Sequence, residues 1–125
     1  MPSPIRVLYA EDDADTREMM CMILEAEGFE VSCPETPTRF LQTAKDGQID
    51  VFLLDWWMPE ISGIALCKAI REFDSYTPII FYSAAAYEKD VEAARAAGAQ
   101  SYIRKPCPFE ELIAEIRAVV ARGVV

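Results

Sequence analysis

The sequence predicts a doubly wound α/β fold on a five-stranded parallel sheet, and three observations carry that prediction. Short apolar runs of strand length alternate with segments of helical periodicity, five times over. Successive apolar runs are separated by a dozen or more residues, enough for a crossover helix and too many for a hairpin. Strands joined in this way are parallel and carry helices on both faces of their sheet.

The first apolar run, residues 5–10, ends abruptly in Glu11, Asp12 and Asp13. From 14 to 27, Met20, Ile23 and Leu24 recur at helical spacing, and Gly28 is the stop signal. Residues 29–33 read as a second strand, 34–37 as a proline-bounded turn, and 38–45 as a helix running up to Asp46 and Gly47. A third apolar run, 49–54, is broken by Asp50 near its start and again terminates on an acid, Asp55. Beyond a loop containing Met58 and Pro59, a helix is predicted from about 62 to 72, then a fourth strand over 78–83 that ends on Ser83. Residues 88–97 form a weakly apolar helix closed by Gly98, and 101–104 a short fifth strand ending at Lys105 and Pro106. The last helix starts near Pro108, gathers Phe109, Leu112, Ile113, Ile116, Val119 and Val120 on one face, and stops at Gly123.

A chain of 125 residues that is 52% hydrophobic can bury one core, so a single domain over 1–125 is expected, with no output domain inside it. The four cysteines, at 21, 33, 67 and 107, include no CxxC pair and are expected as reduced, packed small hydrophobes. Neither a secretory start nor an apolar run of membrane-spanning length is present, which predicts a cytoplasmic protein without membrane contact. A net charge of −9 repels phosphate backbones, so direct nucleic-acid binding is not expected. The chain has no histidine, which removes Ser-His-Asp and Cys-His catalysis and histidine metal ligation together.

Open parallel sheets bind ligands beyond the C-terminal strand ends where the winding reverses, and in the flavodoxin-like order 2-1-3-4-5 that point lies between strands one and three. Both of those strands end in acids, so Glu11, Asp12 and Asp55 converge, while strands four and five bring Ser83 and Lys105 to the same edge. Clustered carboxylates repel unless a cation neutralises them, and an oxygen-only set favours Mg²⁺ or a similar hard ion such as Mn²⁺. Asp12, Asp55 and one backbone carbonyl would suffice as ligands. Lys105 can pair with Asp55 at rest and with a phosphoryl oxygen during transfer, and Ser83 can donate to a second oxygen. Asp55, alone at the centre of the sheet, is the candidate nucleophile for an acyl phosphate.

These residues resemble the receiver domains of two-component response regulators over essentially the whole chain. The resemblance rests on Val7 to Asp13, on Asp55, Trp56, Trp57, Met58 and Pro59 followed by Gly63, on Ser83 with Ala84, and on Tyr102 to Pro106. It implies that Asp55 is the phosphorylated aspartate, Asp12 a direct Mg²⁺ ligand, Glu11 a ligand through water, and the carbonyl of Trp57 the backbone ligand. Ser83 stands where the family has a switching Thr or Ser, Lys105 where it has its lysine, and Tyr102 where an aromatic turns inward on activation. Helix four, strand five and helix five would then form the responsive partner face. Trp57 and Ala85 fall at the positions that flank the hydrolytic water, which implies a slowly hydrolysing phosphoaspartate.

The donor phosphohistidine must lie on another protein, a sensor histidine kinase or a histidine phosphotransfer protein. Downstream, a protein target or output domain is expected, and a phosphorylation-dependent homodimer is compatible. Plainer readings stand beside these. Asp13 and Asp15 suit the start of a helix; Tyr102 reads equally as an ordinary half-buried aromatic; Trp56 and Trp57 either cover apolar surface or shield the site. A flavin carrier shares the fold class but needs a Ser/Thr/Gly-rich loop where this chain is acidic. The remaining rival is a receiver-like module that binds partners without phosphate, against which Asp12, Asp55 and Lys105 all speak.

Overall fold

The computed structural model describes residues 3–123 apart from 57, 59, 85 and 86. Five strands alternate with five helices: β1 (Arg6–Ala10), α1 (Ala14–Ala26), β2 (Glu30–Ser32), α2 (Pro37–Asp46), β3 (Val51–Leu54), α3 (Gly63–Arg71), β4 (Ile79–Ser83), α4 (Glu88–Ala97), β5 (Ser101–Arg104) and α5 (Phe109–Gly123). The strands form one parallel sheet in the order β2-β1-β3-β4-β5. This is the predicted doubly wound topology, with its winding reversal between β1 and β3.

Side-chain alternation along each strand divides the core into two layers. Leu8, Phe52, Leu54 and Phe81 pack with Phe40 of α2, Leu66 and Ile70 of α3, and Ala94 of α4. Val7, Tyr9, Leu53, Ile80 and Tyr82 pack with Met20 and Leu24 of α1 and with Leu112, Ile113, Ile116 and Val119 of α5. β3 is buried at every position, as a central strand covered on both faces must be. The apolar face predicted for the last helix is the one that meets the sheet.

Most boundaries differ from the sequence expectation by a residue or two, and two of the differences have a clear physical reason. Pro37, assigned to a turn, is the first residue of α2: its missing N–H falls where no helical partner exists, and the Thr36 side chain caps the helix by accepting from the Arg39 N–H at 3.2 Å. Asp50 begins no strand. Its carboxylate accepts the Arg6 N–H at 2.8 Å, and β3 starts at Val51, two residues after the expected start at 49. The fourth helix and fifth strand keep their predicted bounds, with Gly98 in the left-handed region at φ 114° closing α4.

Helix starts aim α1 and α3 at the strand ends. Asp13 caps α1 through the Thr16 N–H at 2.9 Å, and the two bonds from Thr16 hold its carboxyl below the usual range. Ser62 caps α3 by accepting the Ala65 N–H at 3.1 Å. Replacing Ser62 with Ala is expected to destabilise the fold by about 1 kcal/mol, read as a lower urea midpoint at unchanged slope.

Candidate functional site

β1 and β3 run side by side with Ala10 opposite Leu54, so the residues that follow them emerge together. The Asp55 N–H donates to the Ala10 carbonyl at 3.1 Å, which extends the ladder one step and fixes Asp55 beside the acidic loop. Carboxylate oxygens of Glu11, Asp12 and Asp55 lie within 4.8 Å of one another. At the neighbouring edge the Lys105 N–H donates to the Ser83 carbonyl at 2.9 Å, joining the ends of β4 and β5. The structure therefore brings all five side chains that the sequence placed at the strand ends to one rim of the sheet.

Glu11 is the buried member of the acidic group. Its carboxylate accepts the Asp12 N–H at 3.0 Å, and the Tyr9 hydroxyl donates to it at 3.4 Å. Burial, then the charge of Asp55, pushes its pKa up to about 7. The same burial, reinforced by Glu11 and Asp55, drives the Tyr9 hydroxyl far above its ordinary value, so Tyr9 stays a neutral donor. Asp55 accepts the Trp56 N–H at 2.7 Å on one oxygen and faces Lys105 Nζ at 3.7 Å with the other. Lys105 lies nearer Glu11, at 3.4 Å, and sits 4.8 Å from the centre of the Tyr82 ring. One ammonium thus faces two carboxylates, where the sequence had paired it with Asp55 alone.

An oxygen-only trio at this spacing, with one carboxyl holding its proton more tightly because of burial and then of the charge of Asp55, fits a hard divalent cation such as Mg²⁺. Asp12, exposed to solvent, leaves one side of the trio open to water.

Ser83 is buried at the end of β4. Tyr102 lies on β5 with its ring stacked on Phe81 at 5.8 Å between centroids, and Trp56 packs on both rings at 5.7 and 6.3 Å. The Tyr102 hydroxyl is pushed up by burial and drawn back by a hydrogen bond with the Ser83 side chain, so the two predicted switch residues touch. Trp57, the predicted backbone ligand, and Ala85, its predicted companion beside the water path, lie outside the described residues, as does Pro59.

Comparison with known proteins meets this geometry directly. The model of the response regulator receiver domain matches residues 7–117. The chain belongs to that family. It is a receiver domain of a two-component response regulator, a signalling switch. The receiver is 35% identical over 118 residues to the DNA-binding response regulator MtrA of Mycobacterium tuberculosis, covering 94% of this chain and 51% of the relative. It is 37% identical over 122 residues to the transcriptional regulatory protein CseB of Streptomyces coelicolor, covering 98% and 52%. The chain spans about half the length of these curated relatives. Among solved structures, the receiver superposes on the chemotaxis protein CheY4 of Vibrio cholerae with a TM-score of 0.87 at 26% identity, covering 93% of this chain and 98% of that one. It superposes on the response regulator TrrA of Thermotoga maritima, solved in complex with Mg²⁺ and BeF, with a TM-score of 0.81 at 28% identity, covering 92% and 98%. Among the described residues, no helix is long and apolar enough to cross a membrane.

Four residues, Arg17, Tyr9, Tyr82 and Gly63, contribute to the receiver's site in ways the sequence alone does not show. Arg17 donates from Nη1 to the carbonyls of Glu11 and Asp12, both at 2.9 Å, and so holds the acidic loop from one turn into α1. Tyr9 and Tyr82 look like core residues of their strands, and their packing gives no sign that a hydroxyl reaches Glu11 or a ring underlies Lys105. Gly63 is buried where an added Cβ would collide with the Asp55 carbonyl oxygen. The Arg17 signal was present as a basic residue four positions beyond an acidic run.

Proposed function

We propose that residues 1–125 act as one phospho-acceptor receiver, in which the Asp55 carboxylate takes a phosphoryl group from a phosphohistidine on a partner protein. The observation that carries this proposal is the convergence of Asp12, Glu11, Asp55 and Lys105 at a single strand-end rim. Asp12 and Asp55, with the Trp57 carbonyl, would hold Mg²⁺ directly and Glu11 would hold it through water; Mn²⁺ satisfies the same donors. The ion supplies charge neutralisation for the phosphoryl oxygens when bound.

The residues of the chain do the rest. Asp55, its first oxygen held by the Trp56 N–H, turns the second toward the incoming phosphorus. Lys105, already poised between Glu11 and Asp55, moves its charge toward the phosphoryl group as negative charge accumulates there. Ser83 donates a hydrogen bond to a further phosphoryl oxygen and in doing so leaves Tyr102. Loss of that bond frees Tyr102 to move from its present stack on Phe81 and Trp56 toward the space Ser83 leaves, altering the face formed by α4, β5 and α5 where a downstream target or output domain would bind. The phosphoryl donor is a sensor histidine kinase or a histidine phosphotransfer protein.

The direct test is incubation with acetyl phosphate. One phosphoryl group should appear on Asp55 by mass spectrometry when Mg²⁺ is present and none when EDTA is added; incorporation that ignores EDTA would refute the metal-assisted reading.

Glu11 adds a pH signature. Its folded pKa of about 7 lies above the unfolded value of about 4.5. Its contribution to the stability of the metal-free chain is therefore present below about pH 4.5 and is lost as pH rises through about 7. A bound cation takes over the neutralising role of the proton. Apparent Mg²⁺ affinity, followed by Trp56 fluorescence, should be at least about tenfold tighter at pH 8 than at pH 5.5. An affinity flat across that range would show that Glu11 does not face the ion.

A further inference from the structure

We propose that Cys21 and Cys33 form a reversible thiol–disulfide site, oxidised by a small disulfide such as oxidised glutathione, whose cross-link ties α1 to the segment after β2. The two Sγ atoms lie 2.6 Å apart, although Cys21 is in the middle of α1 and Cys33 directly follows β2. That separation falls between ordinary thiol contact and the bond length of about 2.05 Å in a disulfide, so little movement joins them. Both residues are half-buried, within reach of a small reagent.

The other two cysteines are differently placed. Cys67 is fully buried in α3, donates to the Ala97 carbonyl, and has its thiol pushed up to about 11 by burial. Cys107 is hydrogen-bonded to Tyr82. Among the described residues, neither is in contact with another sulfur.

The exchange balances with the named oxidant alone. One cysteine gives up its proton, attacks a glutathione sulfur and releases one glutathione thiolate. Its neighbour then gives up its proton, attacks the protein sulfur of the mixed disulfide and releases the second. Two protein S–H bonds and one glutathione S–S bond become one protein S–S bond and two free thiols. Burial, then the hydrogen bond with Cys21, keeps the proton on Cys33 well above its ordinary range, so the pair rests as a dithiol and converts slowly.

The cross-link lies beside the acidic rim. Arg17, one turn before Cys21, holds the Glu11 and Asp12 carbonyls, and Pro34, next to Cys33, lines a cavity of ≈ 170 Å³ together with Glu11 and Asp12. The bond would join α1, which carries Arg17, to the segment that leads into Pro34 without using any group assigned to phosphoryl transfer, so its test is independent of that reading.

The experiment is incubation of the full chain with oxidised glutathione, then alkylation and unreduced peptide mapping. A Cys21–Cys33 linked peptide is expected, with Cys67 and Cys107 alkylated, complete reversal by dithiothreitol, and no linked peptide from either Cys21→Ser or Cys33→Ser. Closing a loop of 12 residues should also raise Tm by about 5–10 °C. Stable glutathione adducts on either cysteine, linkage to Cys67 or Cys107, absence of oxidation, or a linked chain with lowered Tm would each overturn the proposal.

Discussion

Asp55→Asn is expected to take up no phosphoryl group from acetyl phosphate under conditions that label the wild type, a loss on the order of 10⁴-fold or more in rate. Asparagine keeps the shape of the side chain and its oxygen can still accept the Trp56 N–H, now 2.7 Å from Asp55. What disappears is the anion proposed to attack phosphorus. The same change removes a charge that pushes the Glu11 carboxyl upward, so thermal stability of the metal-free variant should hold or rise. Lost labelling with stability held or raised separates a lost nucleophile from a damaged fold. Lys105→Met keeps the nucleophile but deletes the one ammonium facing both carboxylates, and should slow labelling by about 10²–10³-fold while lowering stability. Labelling of Asp55→Asn at the wild-type rate would move the acceptor elsewhere in the chain.

Such variants could be chosen from sequence because the rim residues announce themselves locally. Asp55 and the Glu11 to Asp13 run each end a strongly apolar run, and Lys105 precedes a proline at the end of another. Parallel pairing then brings strand ends together whatever the details of packing. The elements themselves were legible for the same reason: apolar periodicity recovered α4 and β5 to the residue, and every other strand and helix to within a residue or two. What stayed hidden depends on contacts that no local pattern encodes. The hydroxyl of Tyr9 reaches Glu11 only once β1 is buried on both faces. The Cys21–Cys33 contact needs α1 to lie back along β2, and the two cysteines have no characteristic spacing to betray it. Arg17 acts on carbonyl oxygens, which every residue possesses. Gly63 was legible as part of the family pattern at the start of a helix, but its steric requirement comes from the Asp55 carbonyl beyond the end of β3.

That requirement makes Gly63→Ala the sharpest test of how α3 is seated. By helix propensity alone, exchanging glycine for alanine at the first residue of a helix should stabilise the chain by up to about 1 kcal/mol. Packing demands the reverse. Gly63 is buried, its N–H donates to the Trp56 carbonyl at 2.9 Å, and a Cβ there would run into the Asp55 carbonyl oxygen and lie 2.9 Å from Phe81 Cε2 and 3.1 Å from the Asp55 carbonyl carbon. The colliding group is backbone, and Asp55 is tied through its own N–H to the Ala10 carbonyl at 3.1 Å, so no rotamer change relieves the contact. Either the start of α3 retreats from the sheet or the end of β3 shifts. We expect a net destabilisation of about 3 kcal/mol or more by urea titration, well beyond the effect of Ser62→Ala one residue earlier. Because the displaced atoms belong to Asp55 itself, labelling from acetyl phosphate should also fall at temperatures where the variant is still folded. An alanine variant as stable as the wild type would mean that α3 stands farther from the end of β3 than this close contact implies.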